Sequence, residues 1–198
     1  MVYCAGAKRT DRSAGQAHCI VSGRRTAAAL CRIFTRTCST NIRGKTMIRP
    51  YEETDLQACA QVYCSAFSAP PWHENWTEAI AQKRVSELMC TPMSRGFVCE
   101  ENGRITAFAA GRMMTYLHGT EYVLDEFCVA YDVQGQGIGR KLMQQIRTVM
   151  RENGCRSIVL NTTKGYPSER FYERNGFVHS PDMITMYQML QTESASEP

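Results

Sequence analysis

Apolar and polar positions along the chain repeat with two different periods, and the switches between them mark the elements. Leu56, Cys59, Ala60, Tyr63 and Phe67 recur at helical spacing. They follow Thr54-Asp55-Leu56-Gln57, which reads as a capping box opening a helix. Pro70-Pro71 ends that helix, because proline cannot continue the hydrogen-bond ladder. Thr77 caps a second helix running to about Met89, with Ala81, Val85 and Leu88 facing inward. Phe97–Glu100 and Ile105–Met113 read as strands joined at Asn102-Gly103, a strong hairpin signal. Tyr122–Val129 is the next strand. The helix after it carries Ile138, Leu142, Ile146 and Val149 on one face and stops at Asn153-Gly154, where glycine can take the left-handed cap. Ser157–Leu160 is apolar enough for a strand covered on both faces.

Pro167 pre-sets the first turn of a short helix that ends at Asn175-Gly176. Phe177-Val178 and Thr185–Leu190 are expected to be the last strands, and Ile48–Tyr51 an edge strand, given Pro50. Antiparallel hairpins early and a strand–helix–strand unit late predict a mixed α+β domain over residues 47–190. Residues 191–198 are expected to form a flexible tail. There is no internal repeat.

Composition changes the picture at the N-terminus. The chain has 198 residues, 43% of them hydrophobic, enough for one domain with a proper core. Its net charge of +4 conceals a division: residues 1–46 hold nine of the 23 Lys/Arg and only one of the 19 acids, Asp11, so the remainder carries a net negative charge. This leader is Arg-rich and nearly acid-free, as in a mitochondrial transit peptide. The competing reading makes Met47 the true start, with residues 1–46 a mis-assigned or disordered extension. The domain is expected in the cytoplasm, or in the mitochondrial matrix if the leader is genuine.

The acidic domain argues against nucleic acid as a partner and favours a cationic substrate. No apolar run reaches the roughly 20 residues of a membrane span. Of the ten cysteines, Cys4, Cys19, Cys31 and Cys38 fall in the leader. The other six lie within apolar patterns without Cys-x-x-Cys, as expected of free thiols in a reducing compartment. The histidines are too scattered to suggest zinc, and no metal is expected.

The chemistry concentrates in Gln134-Gly135-Gln136-Gly137-Ile138-Gly139-Arg140-Lys141, between a strand and a helix. Such a turn can aim several backbone N–H groups and the positive helix end at one anion. Two phosphate readings fail. A dinucleotide fingerprint would place its third glycine at Arg140, and a Walker A loop would end in Gly-Lys-Ser/Thr. The pattern instead resembles the acetyl-CoA loop of the GNAT N-acetyltransferase superfamily. Arg170-Phe171-Tyr172-Glu173-Arg174-Asn175-Gly176-Phe177 is similar to a late element of that family, and the resemblance covers about Met47 to Leu190.

The resemblance implies a central, mostly antiparallel mixed sheet flanked by helices, with splayed central strands. It also implies acetyl-CoA as acyl donor, its pyrophosphate held by the amides of Gln134, Gly135, Gln136, Gly137, Ile138 and Gly139. Arg140 and Lys141 stand where a basic side chain could add charge. Main-chain groups of Phe127, Cys128 and Val129 would meet the pantetheine and the acetyl carbonyl. An N–H donor there would act as an oxyanion hole, worth about 3–4 kcal/mol. Tyr172 matches the family tyrosine that protonates the departing thiolate. The asparagine that many members place seven residues earlier is Gly165 here, leaving Asn161 or Ser168 to take its place.

An acceptor ammonium with a pKa of about 10 must lose a proton before it attacks. Asp125 and Glu126 are the candidate bases, and strand alternation allows at most one of them to face the acceptor. Trp72, Glu74 and Trp76 lie in a loop similar to that of bacterial aminoglycoside 6'-N-acetyltransferase-like members. There the tryptophans could stack on a substrate and Glu74 could hold an ammonium.

The expected activity is acetyl transfer to the amine of a small, cationic acceptor by direct attack on the thioester, with a homodimer allowed. The alternatives are a peptide N-terminal or lysine acetyltransferase and a non-catalytic acyl-CoA sensor.

Overall fold

The structure, a computed structural model, describes residues 46–190. The basic leader, its four cysteines and the residues after Leu190 lie outside the described residues, save Thr46. Five strands form one sheet in chain order: β1 (Thr46–Pro50), β2 (Ser94–Glu101), β3 (Arg104–Tyr116), β4 (Gly119–Val129) and β5 (Cys155–Leu160). The first three pairings are antiparallel, and only β4 with β5 is parallel. The helices are α1 (Leu56–Phe67), α2 (Glu78–Met89), α3 (Ile138–Glu152) and α4 (Pro167–Arg174). None among the described residues is long and apolar enough to cross a membrane. The expected mixed α+β class and its flanked, mostly antiparallel sheet are what is found.

Side chains alternate across a strand, so the sheet buries two faces. Val98, Phe108, Ala110, Cys128 and Ala130 pack with Cys59, Ala60, Tyr63, Ala81 and Val85 of α1 and α2. Their alternates Phe97, Cys99, Ala107 and Ala109 are buried as well, beneath α3, which touches β2 through β5. Leu142, Met143, Ile146 and Met150 of α3 are fully buried, each stabilising the fold by about 1.5–3 kcal/mol.

Local chemistry explains the element ends. Asn102 and Gly103 take φ of 53° and 80° in the β2–β3 turn, the mirror-image geometry that suits a two-residue hairpin. Thr77 caps α2, its side chain accepting from the Ile80 amide at 3.3 Å. Gly154 and Gly176 end α3 and α4 at φ of 73° and 79°.

Five expectations need correction. The capping box before α1 belongs to Glu52 and Asp55, not Thr54. Asp55 accepts the Glu52 amide at 2.8 Å and binds Arg49 at 2.6 Å, and a single 3₁₀ turn intervenes before the helix. β3 continues beyond Met113 to Tyr116, because Leu117-His118 forms a second tight turn that returns the chain as β4. β1 runs Thr46–Pro50 and not Ile48–Tyr51, starting two residues earlier and ending one earlier. β5 is only partly covered, being the edge strand of the described sheet. Phe177-Val178 and Thr185–Leu190 form no strand: they pair with no strand among the described residues, and Val178, Ile184, Met186, Tyr187, Met189 and Leu190 are exposed. Local alternation gives strand propensity, but a strand also needs a partner edge.

Candidate active site

The glycine loop connects β4 to α3 through a 3₁₀ turn at Tyr131–Val133. Gly135 and Gly137 take φ of 77° and 81°, angles that favour glycine because other residues bring Cβ against the carbonyl. No side chain caps α3. Lys141 is the first residue to donate back, to Gly137 O at 3.1 Å, and none of the amides from Gly135 to Arg140 donates to another described residue. Six consecutive N–H groups are thus left without a described acceptor at the positive end of a 15-residue helix.

The loop side chains have other roles. Gln134 donates from Nε2 to Val129 O at 3.0 Å, tying the loop to the end of β4. Ile138 is buried and contributes only its amide. A Cβ on Gly139 would stand 3.3 Å from the Phe171 ring and 3.4 Å from Val129, so this glycine lets α3 and α4 approach each other. Arg140 and Lys141 are exposed. Arg140 opens a groove of about 540 Å³ that Arg147, Arg151 and Arg174 also line, with no acidic side chain in its wall.

The central strands part as expected. The last β4–β5 pair is Leu124 with Leu160, yet β4 stays paired with β3 through Val129. Main-chain groups over 125–129, Phe127, Cys128 and Val129 among them, therefore border a cleft on the β5 side. Asn161 lies just past β5 and accepts from Thr185 at 3.5 Å. Ser168, in the first turn of α4, accepts from Thr162 Oγ1 at 2.9 Å. Both stand near the opening and remain reachable.

Strand alternation does not hold at the two carboxylates. Ala110 pairs with Glu126 and Gly111 with Leu124, leaving Asp125 as the extra residue of a β-bulge. A bulge turns successive side chains toward one side, and both acids come within electrostatic reach of Arg84. Arg84 of α2 donates to Glu126 Oε1 from Nη2 at 2.7 Å and from Nε at 3.2 Å. Arg112 of β3 donates from Nη1 to both Asp125 oxygens at 2.7 and 2.8 Å. Burial raises both carboxyls above their ordinary values, and the arginine partners only partly oppose it.

Tyr172 is packed against Phe127, Phe171 and Phe177, with ring centroids 5.3–6.4 Å away. Burial first, and the Glu126 charge second, push its hydroxyl well above the ordinary tyrosine value, as they do for Tyr63 of α1. Both phenols stay protonated at neutral pH. A carboxylate with a raised pKa and a phenol that keeps its proton thus sit together beside the cleft. This is the pairing that a proton acceptor and a proton donor need.

The tryptophan loop is braced more than open. Trp76 packs edge-on against Tyr63 at 4.7 Å and donates to Glu74 at 2.5 Å. Trp72 lies against Phe67 at 5.6 Å and Tyr166 at 4.8 Å, which links this loop to the one before α4. Trp76 and Glu74 are thus engaged with each other, whereas the half-buried Trp72 still borders the site.

Sequence reading missed Tyr63, Arg84 and Arg112 as site residues. Arg84 stands on the inward stripe with Ala81, Val85 and Leu88, and Arg112 is the one charge inside the apolar run from Ile105 to Met113; both were signals. The six described cysteines are free thiols. Of the histidines, His179 lies beside Glu169 and Glu173 at the surface, at 3.6 and 3.2 Å.

Comparison with known proteins agrees with this geometry. The profile of the acetyltransferase (GNAT) family matches residues 56–177. Among solved structures, the fold is similar to that of a possible acetyltransferase from Clostridium difficile 630 (TM-score 0.63, 14% identity, covering 74% of this chain and 99% of that one). It is also similar to an aminoglycoside acetyltransferase from an uncultured soil metagenomic sample, solved with sisomicin (TM-score 0.59, 18% identity, 74% and 97%). A third is a ribosomal-protein-alanine N-acetyltransferase from Brucella melitensis biovar Abortus 2308 (TM-score 0.59, 14% identity, 73% and 99%). No curated protein sequence matches.

Proposed function

The chain belongs to the GNAT acetyltransferase family, and on that premise we propose that it transfers the acetyl group of acetyl-CoA to the primary amine of a small acceptor by direct attack on the thioester. The observation that carries this reading is the uncapped N-terminus of α3, whose amides from Gly135 to Arg140 have no partner among the described residues. A pyrophosphate supplies the acceptors those N–H groups need. The arginine-lined groove beyond Arg140 suits the further phosphate of the donor.

In the transfer, Glu126 takes a proton from the acceptor ammonium. The amine lone pair then forms the C–N bond, and charge develops on the carbonyl oxygen beside main-chain groups of 127–129. The C–S bond breaks with its electron pair on sulfur, and Tyr172 supplies the proton. Glu126 is preferred to Asp125 because its charge acts directly on Tyr172 and Tyr63.

That choice has a pH signature. A general base works ionised, so activity rises with pH through its pKa, which for Glu126 lies above the ordinary carboxylate value. Arg84 holds that value down. The acidic limb of kcat/KM should therefore move to higher pH in Arg84→Gln and stay in place in Arg112→Gln. A larger upward shift in Arg112→Gln than in Arg84→Gln would assign the base to Asp125, on which both arginines act.

Thiol release from acetyl-CoA over a panel of polyamines, aminoglycosides, amino acids and short peptides tests the activity itself. Amine-dependent release with a mass gain of one acetyl group on the amine is the expected result. Tight acetyl-CoA binding with no release for any amine would make the protein an acyl-CoA sensor. Strong preference for peptides over every free amine would make it a peptide acetyltransferase.

A further inference from the structure

Both carboxylates expected to attract a cation are already paired, and the arginines are their outer partners. The Arg84 side chain is 39% exposed against 13% for Glu126, and that of Arg112 is 46% exposed against 18% for Asp125. An incoming acceptor meets guanidinium before carboxylate. A polycation would face two positive groups and gain little from the acids behind them.

The hydrogen bonds leave a specific set of groups over. Arg84 places Nη2 and Nε on Oε1 of Glu126, so Oε2, on a carboxylate that Tyr63 also reaches, is the oxygen free of arginine that can accept an ammonium. Arg112 uses Nη1 alone on Asp125, so Nη2 and Nε remain as a two-donor edge. That edge matches a carboxylate in bidentate geometry.

The two groups also share a side. β3 keeps regular register with β2 through Ala110 and Arg112, so Arg112 lies on the face of Phe108 and Ala110, which packs with α1 and α2. Glu126 pairs with Ala110. Arg112 is two residues further along β3, so the backbone positions that carry the two side chains are offset by about 7 Å at the usual rise of a strand.

We propose that the acceptor is a small amine that also carries an acid group, with its ammonium on Glu126 and its anion on Arg112. This rests on the acetyl-transfer reading above and narrows its acceptor. Side chains rooted at that offset favour an amine and an acid several bonds apart over an α-amino acid with both on one carbon.

The test is a matched series: glycine, β-alanine, 4-aminobutyrate and 5-aminovalerate, each beside the alkylamine that lacks its carboxylate, with spermidine as the polycation. In the full-length protein with acetyl-CoA, kcat/KM should be about 10- to 100-fold higher for the longer amino acids than for their alkylamines, as a charge-assisted hydrogen-bonded pair gives. Arg112→Gln should collapse that ratio toward one through KM, and Arg112→Lys should restore part of it. 3-Aminopropylphosphonate and 3-aminopropanesulfonate distinguish a carboxylate from other acids.

Equal or better turnover of alkylamines or spermidine by the wild-type protein would overturn the inference and leave acetyl transfer standing. If no amine is acetylated, the acetyl-transfer reading fails. Calorimetric titration of the same amines into the coenzyme A complex then decides the inference by itself: retention of the acids alone, lost in Arg112→Gln, supports it. Absence of that preference ends it.

Discussion

Replacing Tyr172 with phenylalanine is expected to lower kcat by about 10²- to 10⁴-fold, the range for loss of a positioned general acid, while acetyl-CoA affinity changes little. The two halves of this expectation have separate origins. The ring contacts with Phe127, Phe171 and Phe177 do not involve the hydroxyl, so the packing of α4 against β4 survives. The hydroxyl itself stays protonated because burial and the Glu126 charge hold its pKa far above neutrality. Loss of activity on the alkaline side therefore should not set in below the ordinary tyrosine value of about 10 through this group. A defect confined to KM would instead indicate uniform binding by the phenol. Wild-type kcat in Tyr172→Phe, on a good acceptor at neutral pH, would remove the residue from the chemistry.

The second large effect is expected at Gly137. A side chain there meets no atom within 4 Å of its Cβ, so it would project into the open space faced by the loop amides. Gly137→Val should weaken acetyl-CoA binding about 10- to 100-fold or more, as one or more charge-assisted hydrogen bonds are lost. The fold is affected too, because φ of 81° costs a residue with a Cβ roughly 1–2 kcal/mol. Gly154→Val separates the two causes. Its φ is 73°, its Cβ site is equally open, and it lies at the other end of α3. Both variants should melt lower, but only Gly137→Val should lose affinity in calorimetry. Equal affinity in the two would move the pyrophosphate away from the loop.

What could be read in advance depended on whether the information was local. The inward face of α3 follows from period alone, and Ile138, Leu142, Ile146 and Val149 are all buried. The hairpin at Asn102-Gly103 and the caps at Thr77, Gly154 and Gly176 were equally legible, since each is a property of a few adjacent residues. The glycine loop was legible as a run of amides at an uncapped helix start, although Gly139 proved to be a packing glycine, which depends on Phe171 some thirty residues away. The bulge at Asp125 was not legible at all. It exists only in the register between β3 and β4, and it reverses the expectation that one acid alone faces the acceptor side. Arg84 and Arg112 became site residues for the same reason. The strands expected at Phe177-Val178 and Thr185–Leu190 failed on the opposite count: their alternation is local, while a partner edge is not.

The most direct test of the account follows the amides of the loop. In ¹H–¹⁵N spectra recorded during titration with acetyl-CoA, the signals of Gly135, Gln136, Gly137, Ile138, Gly139 and Arg140 should shift downfield and their solvent exchange should slow, because N–H groups without a protein acceptor gain a phosphate oxygen. The amides within α2 should stay in place. Saturable binding of acetyl-CoA that leaves those six amides unmoved would contradict the assignment of the loop as the phosphate site.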